Sequence, residues 1–260
     1  MRHAHRPAAV AALLAVTAAA AVAAAAAAAA TGPGAPATGT PAPVCPGYKA
    51  VVDETALAAT PRADEEAELV ALGLADRLVA STPDYERVKA DLAAIRAARP
   101  ELAEATHAHW DDAQSLIVVL APAAFERVKS GAKFPAWDCA NRAYGLVHSA
   151  VDEEGGYAFL QFKGRYKLSV LARVYGKIRG VTSVAPNSMM GAGTRVCARK
   201  AGATFHYLFA VGSGDCPAGC MHWDHTYVYT TAPAKPVHVA TWDAAAAAPA
   251  AAKLAPSCPH

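Results

Sequence analysis

Residues 115–120 read Ser-Leu-Ile-Val-Val-Leu, a continuous and largely β-branched apolar run with no polar alternation. Such a run is a buried strand, and it needs other elements packed over it. The following sequence supplies them. Phe125 and Val128 suggest a short helix, and Asp138 is placed to cap another through Asn141, Tyr144 and Leu146. Val147 to Asp152 reads as a strand and Glu153-Glu154-Gly155-Gly156 as a turn. Tyr157 to Lys163 alternates, with Ala158, Leu160 and Phe162 on one face. Leu168, Leu171, Ala172, Tyr175 and Ile178 then follow helical spacing, and Gly180 suits a helix stop. Val181 to Ala185 makes a last strand, closed by Pro186-Asn187.

That order of strand, helix, strand, turn, strand, helix, strand predicts an α+β chain with a ferredoxin-like split βαβ sandwich over 113–187. An N-terminal helical pair is expected before it. Thr60-Pro61 and Thr82-Pro83 offer a hydroxyl cap and a first-turn proline, with Asp64, Glu65, Glu66 and Asp84 near the positive helix ends. Leu69, Leu72 and Val79, and then Tyr85, Val88, Leu92 and Ile95, form stripes that read as core seams, and Pro100 ends the second. After a Gly, Ser and Asn-containing loop at 187–193, residues 203–211 and 225–231 predict a β-hairpin joined by the 212–220 loop. Val237 to Thr241 adds a further strand.

The ends have a different composition. Residues 1–30 hold 18 alanines, Arg2 and Arg6, and no acid. A basic start, an apolar stretch and small residues describe a secretory signal peptide, cleaved after Ala30 or Ala37, leaving no membrane span in the mature chain. Residues 31–44 are rich in Gly, Pro, Thr and Ala and read as a disordered linker, and 244–260 as an Ala/Pro-rich tail. A single globular domain is expected over 45–243.

The whole chain carries 24 Lys+Arg against 22 Asp+Glu. Both arginines of the leader count toward that excess, so the remainder is neutral and lacks the positive field of a nucleic-acid binder.

The six cysteines are Cys45, Cys139, Cys197, Cys216, Cys220 and Cys258. An even number in an exported chain predicts disulfides. Cys216 and Cys220 enclose Pro217-Ala218-Gly219, a turn that brings the two sulfurs together. Cys139 with Cys197, and Cys45 with Cys258, is the expected pairing of the rest. Asp215, Pro217, Ala218 and Gly219 would then form a rigid binding loop.

The densest polar cluster is His222-Trp223-Asp224-His225. On a turn or helix His222 and His225 share a face, Asp224 can ligate or orient an imidazole, and His206 approaches across the hairpin. That is the candidate metal set. The ordinary alternative is a hydrogen-bonded strand histidine beside solvated neighbours. His107-x-His109 is a second, weaker candidate, and Trp110 beside it suits an anchor of the helical pair on the sheet. Glu153 and Glu154 sit at a turn tip, where nothing forces either to shift its pKa. Ser213 lacks the spacing of a nucleophile elbow, and Gly191-Ala192-Gly193-Thr194 lacks the lysine of a phosphate loop.

Two resemblances follow from these motifs. Gly214-Asp215-Cys216-Pro217-Ala218-Gly219-Cys220 followed by His225, with Ile117-Val118-Val119-Leu120, Asn141, Tyr144 and Leu171-Ala172-Arg173-Val174-Tyr175, resembles a group of uncharacterised secreted bacterial proteins. The resemblance spans about 90–231 and implies export and a disulfide-bonded loop. Residues 157–187, with Leu168, Leu171, Arg179-Gly180-Val181-Thr182-Ser183-Val184 and Pro186-Asn187, are similar to the second half of subtilisin-type propeptide domains. That similarity implies a ferredoxin-like unit that inhibits a protease or helps it fold.

The expectation is therefore a secreted, extracellular or periplasmic, disulfide-stabilised protein without catalysis or cofactor. It would act as a binding or protease-inhibitor-like module toward a protein partner, with no nucleic acid. The alternative is a metal-dependent hydrolase using His222, Asp224, His225 and His206.

Overall fold

The structure is a computed structural model that describes residues 59–107, 113–187, 193–216 and 220–241, the last six without their side chains. All lie within one compact unit, Ala42–His260. Several expectations lie outside the described residues: the leader, the linker, Cys45, His109, Trp110, Pro217-Ala218-Gly219, Cys258 and the tail. The chain is a mixture of helices and two antiparallel sheets. Among the described residues no helix is long and apolar enough to cross a membrane.

The first sheet is built around β1 (Ser115–Leu120). Its other strands are β2 (Leu146–Asp152), β3 (Tyr157–Phe162) and β4 (Val181–Pro186), in the order β2-β3-β1-β4 with every neighbouring pair antiparallel. Helices α3 (Pro122–Lys129) and α4 (Pro135–Ala143) connect β1 to β2, and α5 (Leu168–Tyr175) connects β3 to β4. The register Leu116↔Leu160 and Val118↔Ala158 turns alternate residues of both strands to one face. Leu116, Val118, Leu120, Ala158, Leu160 and Phe162 are buried there among Phe125, Trp137, Tyr144, Leu171, Tyr175 and Ile178. Each large apolar side chain buried this fully is worth about 1.5–3 kcal/mol, which is why the uninterrupted 115–120 run is tolerated.

Helix α4 differs from expectation. It starts at Pro135 and ends at Ala143, and Leu146 already opens β2. Asp138 lies inside the first turn and accepts a hydrogen bond from the Phe134 N–H at 3.0 Å. Gly145, at φ +66°, reverses the chain where the helix was expected to continue.

The second sheet is a meander of β5 (Thr194–Ala201), β6 (Thr204–Ser213), β7 (His222–Ala232) and β8 (Lys235–Thr241), in that order. The expected two-stranded hairpin is therefore the middle of a four-stranded sheet, and its strands reach further toward the loop. Helices α1 (Glu65–Leu72) and α2 (Thr82–Ala98) cover one face. Val70, Leu72, Val88, Leu92 and Ile95 are buried with Val196, Phe205, Tyr207, Phe209 and Val228.

The helical pair is where it was expected, with both caps shifted. Asp64, not Thr60, caps α1, its carboxylate accepting from the Ala67 N–H at 3.0 Å. A carboxylate facing the positive helix end outcompetes a hydroxyl farther upstream. Val79 lies beyond α1 and is exposed. Ser81, not Thr82, caps α2, its hydroxyl accepting from the Asp84 N–H, and Thr82 is already the first helical residue.

Ion pairs and hydrogen bonds tie together the segments between the two cores, 73–80 and 163–167. Arg165 donates to Glu68 at 2.8 Å, Lys167 to the Ala75 carbonyl at 2.8 Å, and Arg173 pairs with Asp76 at 2.8 Å. The Tyr166 hydroxyl accepts from the Ala59 N–H and donates to the Tyr144 carbonyl, both at 2.9 Å.

Candidate protein-binding tip

Strands β6 and β7 stay paired from Phe205↔Thr230 to Ser213↔His222, up to the residues that flank the connecting loop. At that end the backbone is tightly held. The Gly212 N–H donates to the Gly193 carbonyl at 2.6 Å, Met221 N–H to the Ser213 carbonyl at 3.0 Å, and Cys216 N–H to the Gly214 carbonyl at 3.0 Å. Gly214 turns the chain at φ +94°, a conformation that favours glycine. A Cβ at Gly212 would overlap the Cys220 sulfur and approach its Cβ to 2.6 Å, so only glycine fits beside the bridge.

The expected Cys216–Cys220 disulfide is present. Cys139, buried in α4, and Cys197, on β5, are also disulfide-bonded, but not to each other as expected: Cys216–Cys220 is the bridge with both ends among the described residues, and α4 and β5 belong to different cores. Next to the clamp, Met221 is 70% exposed and Val211 is exposed across the hairpin. Asp215, His222 and Asp224 are exposed around them. Trp223 is half-buried, with the Arg195 guanidinium 5.7 Å from its ring centre. The described end of the hairpin thus presents an exposed Met221 beside the bridge, with polar residues nearby.

The metal-set residues are not brought together. His222-Trp223-Asp224-His225 is strand, not turn or helix. Strand pleating sends His222 and Asp224 to one face and His225 to the other. His206 lies opposite Tyr229 while His225 lies opposite Ala210, so the two histidines stand about 13 Å apart along the sheet. His206 is already engaged, its Nδ1 being 2.6 Å from the Tyr227 hydroxyl with the rings stacked. Burial, and then the Arg199 cation, hold its imidazole below the ordinary histidine value. Among the described residues no three His, Cys, Asp or Glu side chains form a group that could hold a metal ion.

The remaining sequence candidates have structural partners. His107 Nδ1 lies 2.8 Å from the Val196 carbonyl. Glu153 pairs with Lys129 at 2.7 Å. Asp152 organises the turn instead: the Gly155 N–H, 2.6 Å away, and then the Tyr157 hydroxyl hold its carboxyl below the usual range.

Sequence reasoning missed one buried polar centre. Asp91 of α2 is 0% exposed and accepts from Arg87 at 2.7 Å, Thr230 at 2.7 Å, Tyr207 at 2.8 Å and the Ala234 N–H at 2.9 Å. The signal was available, because Asp91 stands on the same helical stripe as Val88, Leu92 and Ile95. Every partner is internal, so the centre fixes α2 on the sheet and presents nothing to a ligand.

No protein-family model, curated protein or solved structure matches this chain.

Proposed function

We propose that this protein is an exported, non-catalytic binding module of protease-inhibitor type, which docks on a protein partner through the clamped end of β6 and β7. The observation that carries the reading is the Cys216–Cys220 bridge beside an exposed Met221. A loop fixed before contact loses little freedom on binding, so its apolar side chain adds affinity that a mobile loop would spend on ordering. A methionine is an adaptable anchor for a partner's apolar pocket.

Two further elements belong to the proposal. The first sheet with α3, α4 and α5 is ferredoxin-like, a reading supported by the antiparallel order β2-β3-β1-β4 and by helices in both crossovers. Export is supported by the basic, alanine-rich leader and by the disulfide bonding of every cysteine among the described residues.

The test uses the oxidised full chain against a panel of secreted proteases. Inhibition of at least one is expected, weakened about tenfold by Met221→Ser and by the paired replacement Cys216→Ser, Cys220→Ser. An oxidised protein that inhibits none of them overturns the reading, as does inhibition that both variants retain in full. Amino-terminal sequencing of protein recovered from culture medium tests export, with the mature chain expected to begin at Thr31 or Thr38.

A further inference from the structure

Strand β2 lies at the end of its sheet, with β3 as its one neighbour among the described residues. An open edge is usually blunted by lysine, proline or a covering element, because its free N–H and C=O groups recruit another strand. Residues 146–151 read Leu-Val-His-Ser-Ala-Val, with no formal charge and no proline. Among the described residues nothing covers them: residues 147–151 are all exposed, Val147 at 61% and Val151 at 36%. The register irregularity between Leu146 and His148 leaves 148–152 as a regular run.

The run is complementary to itself. In antiparallel pairing about Ala150, Ala150 meets its own copy, Ser149 faces Val151, and His148 faces Asp152. Opposed residues point to the same side, so each imidazole lies beside a carboxylate that the Gly155 N–H already holds at 2.6 Å. The flanks agree. Exposed Arg142 precedes the strand, and Glu153 and Glu154 follow it. Antiparallel pairing sets the basic end of one copy toward the acidic end of the other, whereas parallel pairing sets like against like.

We infer that β2 is a homodimerisation edge, joining the first sheets of two copies of this chain into one eight-stranded sheet across a two-fold axis at Ala150. The contact is short, so the dimer is weak and concentration-dependent.

The test is sedimentation equilibrium of the oxidised full chain and of Ala150→Lys and Ala150→Glu, with thermal melts to confirm folding. Ala150 is exposed and touches neither apolar core. The wild type is expected to associate, each variant alone to lose at least tenfold in affinity, and an equimolar mixture of the two to regain dimer. His148→Asp, which sets carboxylate against carboxylate, is expected to weaken association as well. A wild type that stays monomeric up to about 1 mM, a concentration at which even very weak pairs form, overturns the inference. So does a dimer that the folded Ala150 variants leave unchanged.

Discussion

The Tyr207 hydroxyl of β6 donates a hydrogen bond to the Asp91 carboxylate of α2 at 2.8 Å, at a point where both side chains are fully buried. The pair locks a helix to the centre of the second sheet. Asp91 also holds Arg87, Thr230 and the Ala234 N–H. Asp91→Ala leaves the Arg87 cation beside several unpaired donors, and a loss of about 3–5 kcal/mol in urea unfolding is expected. Tyr207→Phe removes one bond to a charged acceptor and is expected to cost about 1.5–3 kcal/mol.

Arg165 and Glu68 join the two cores at 2.8 Å, with side chains 13% and 5% exposed. The pair is buried enough to couple strongly. A double-mutant cycle with Arg165→Met and Glu68→Gln is expected to return a coupling of about 1–3 kcal/mol. Coupling near zero would remove the pair from the forces that join the cores.

Gly212 leaves no room for a methyl group beside the Cys220 sulfur. Gly212→Ala is therefore expected to displace the clamp, with Cys216 and Cys220 becoming alkylatable in a fraction of the molecules by mass spectrometry. The far-ultraviolet circular dichroism should be unchanged, because both apolar cores lie elsewhere.

His206 supplies a pH dependence. Its folded-state pKa lies below 6.5 because burial, and then Arg199, oppose the charged ring. The unfolded chain takes up the proton first. The contribution of the neutral ring is thus complete above about pH 6.5 and is lost as pH falls through the lowered folded value. Urea midpoints are expected to drop between pH 7.5 and 5.5, and to drop less in His206→Gln.

The elements with a strong local signal were legible in the sequence. Ser115 to Leu120 is a strand from end to end because only a covered sheet accepts such a run. The stripe beginning at Leu168 is a helix, as its spacing requires, although its regular part ends at Tyr175. Strand β5 was not legible. Arg195, Arg199 and Lys200 give it the look of a surface loop, and only pairing with β6 makes it a strand. The same pairing defeated the metal set. Helical spacing puts His222 and His225 together, but β6 imposes a pleat that separates them. The disulfide was readable because it is local, whereas Asp91 draws partners from two distant segments, β6 and the β7–β8 hairpin.

The two apolar clusters share no residue, and among the described residues they are spanned by ionic and hydrogen-bonded contacts that include Arg165 to Glu68, Arg173 to Asp76 and Lys167 to Ala75. Dissolved electrolyte acts on the exposed Arg173–Asp76 part of that seam, less on the buried Arg165–Glu68 pair and hardly at all on either interior, since screening between solvated charges at 1 M reaches down to about 3 Å. The grip between the halves is adjustable by the surrounding medium independently of how firmly each half is folded. Amide exchange at 163–167 and 73–80 should quicken in brine while the strands beneath stay protected.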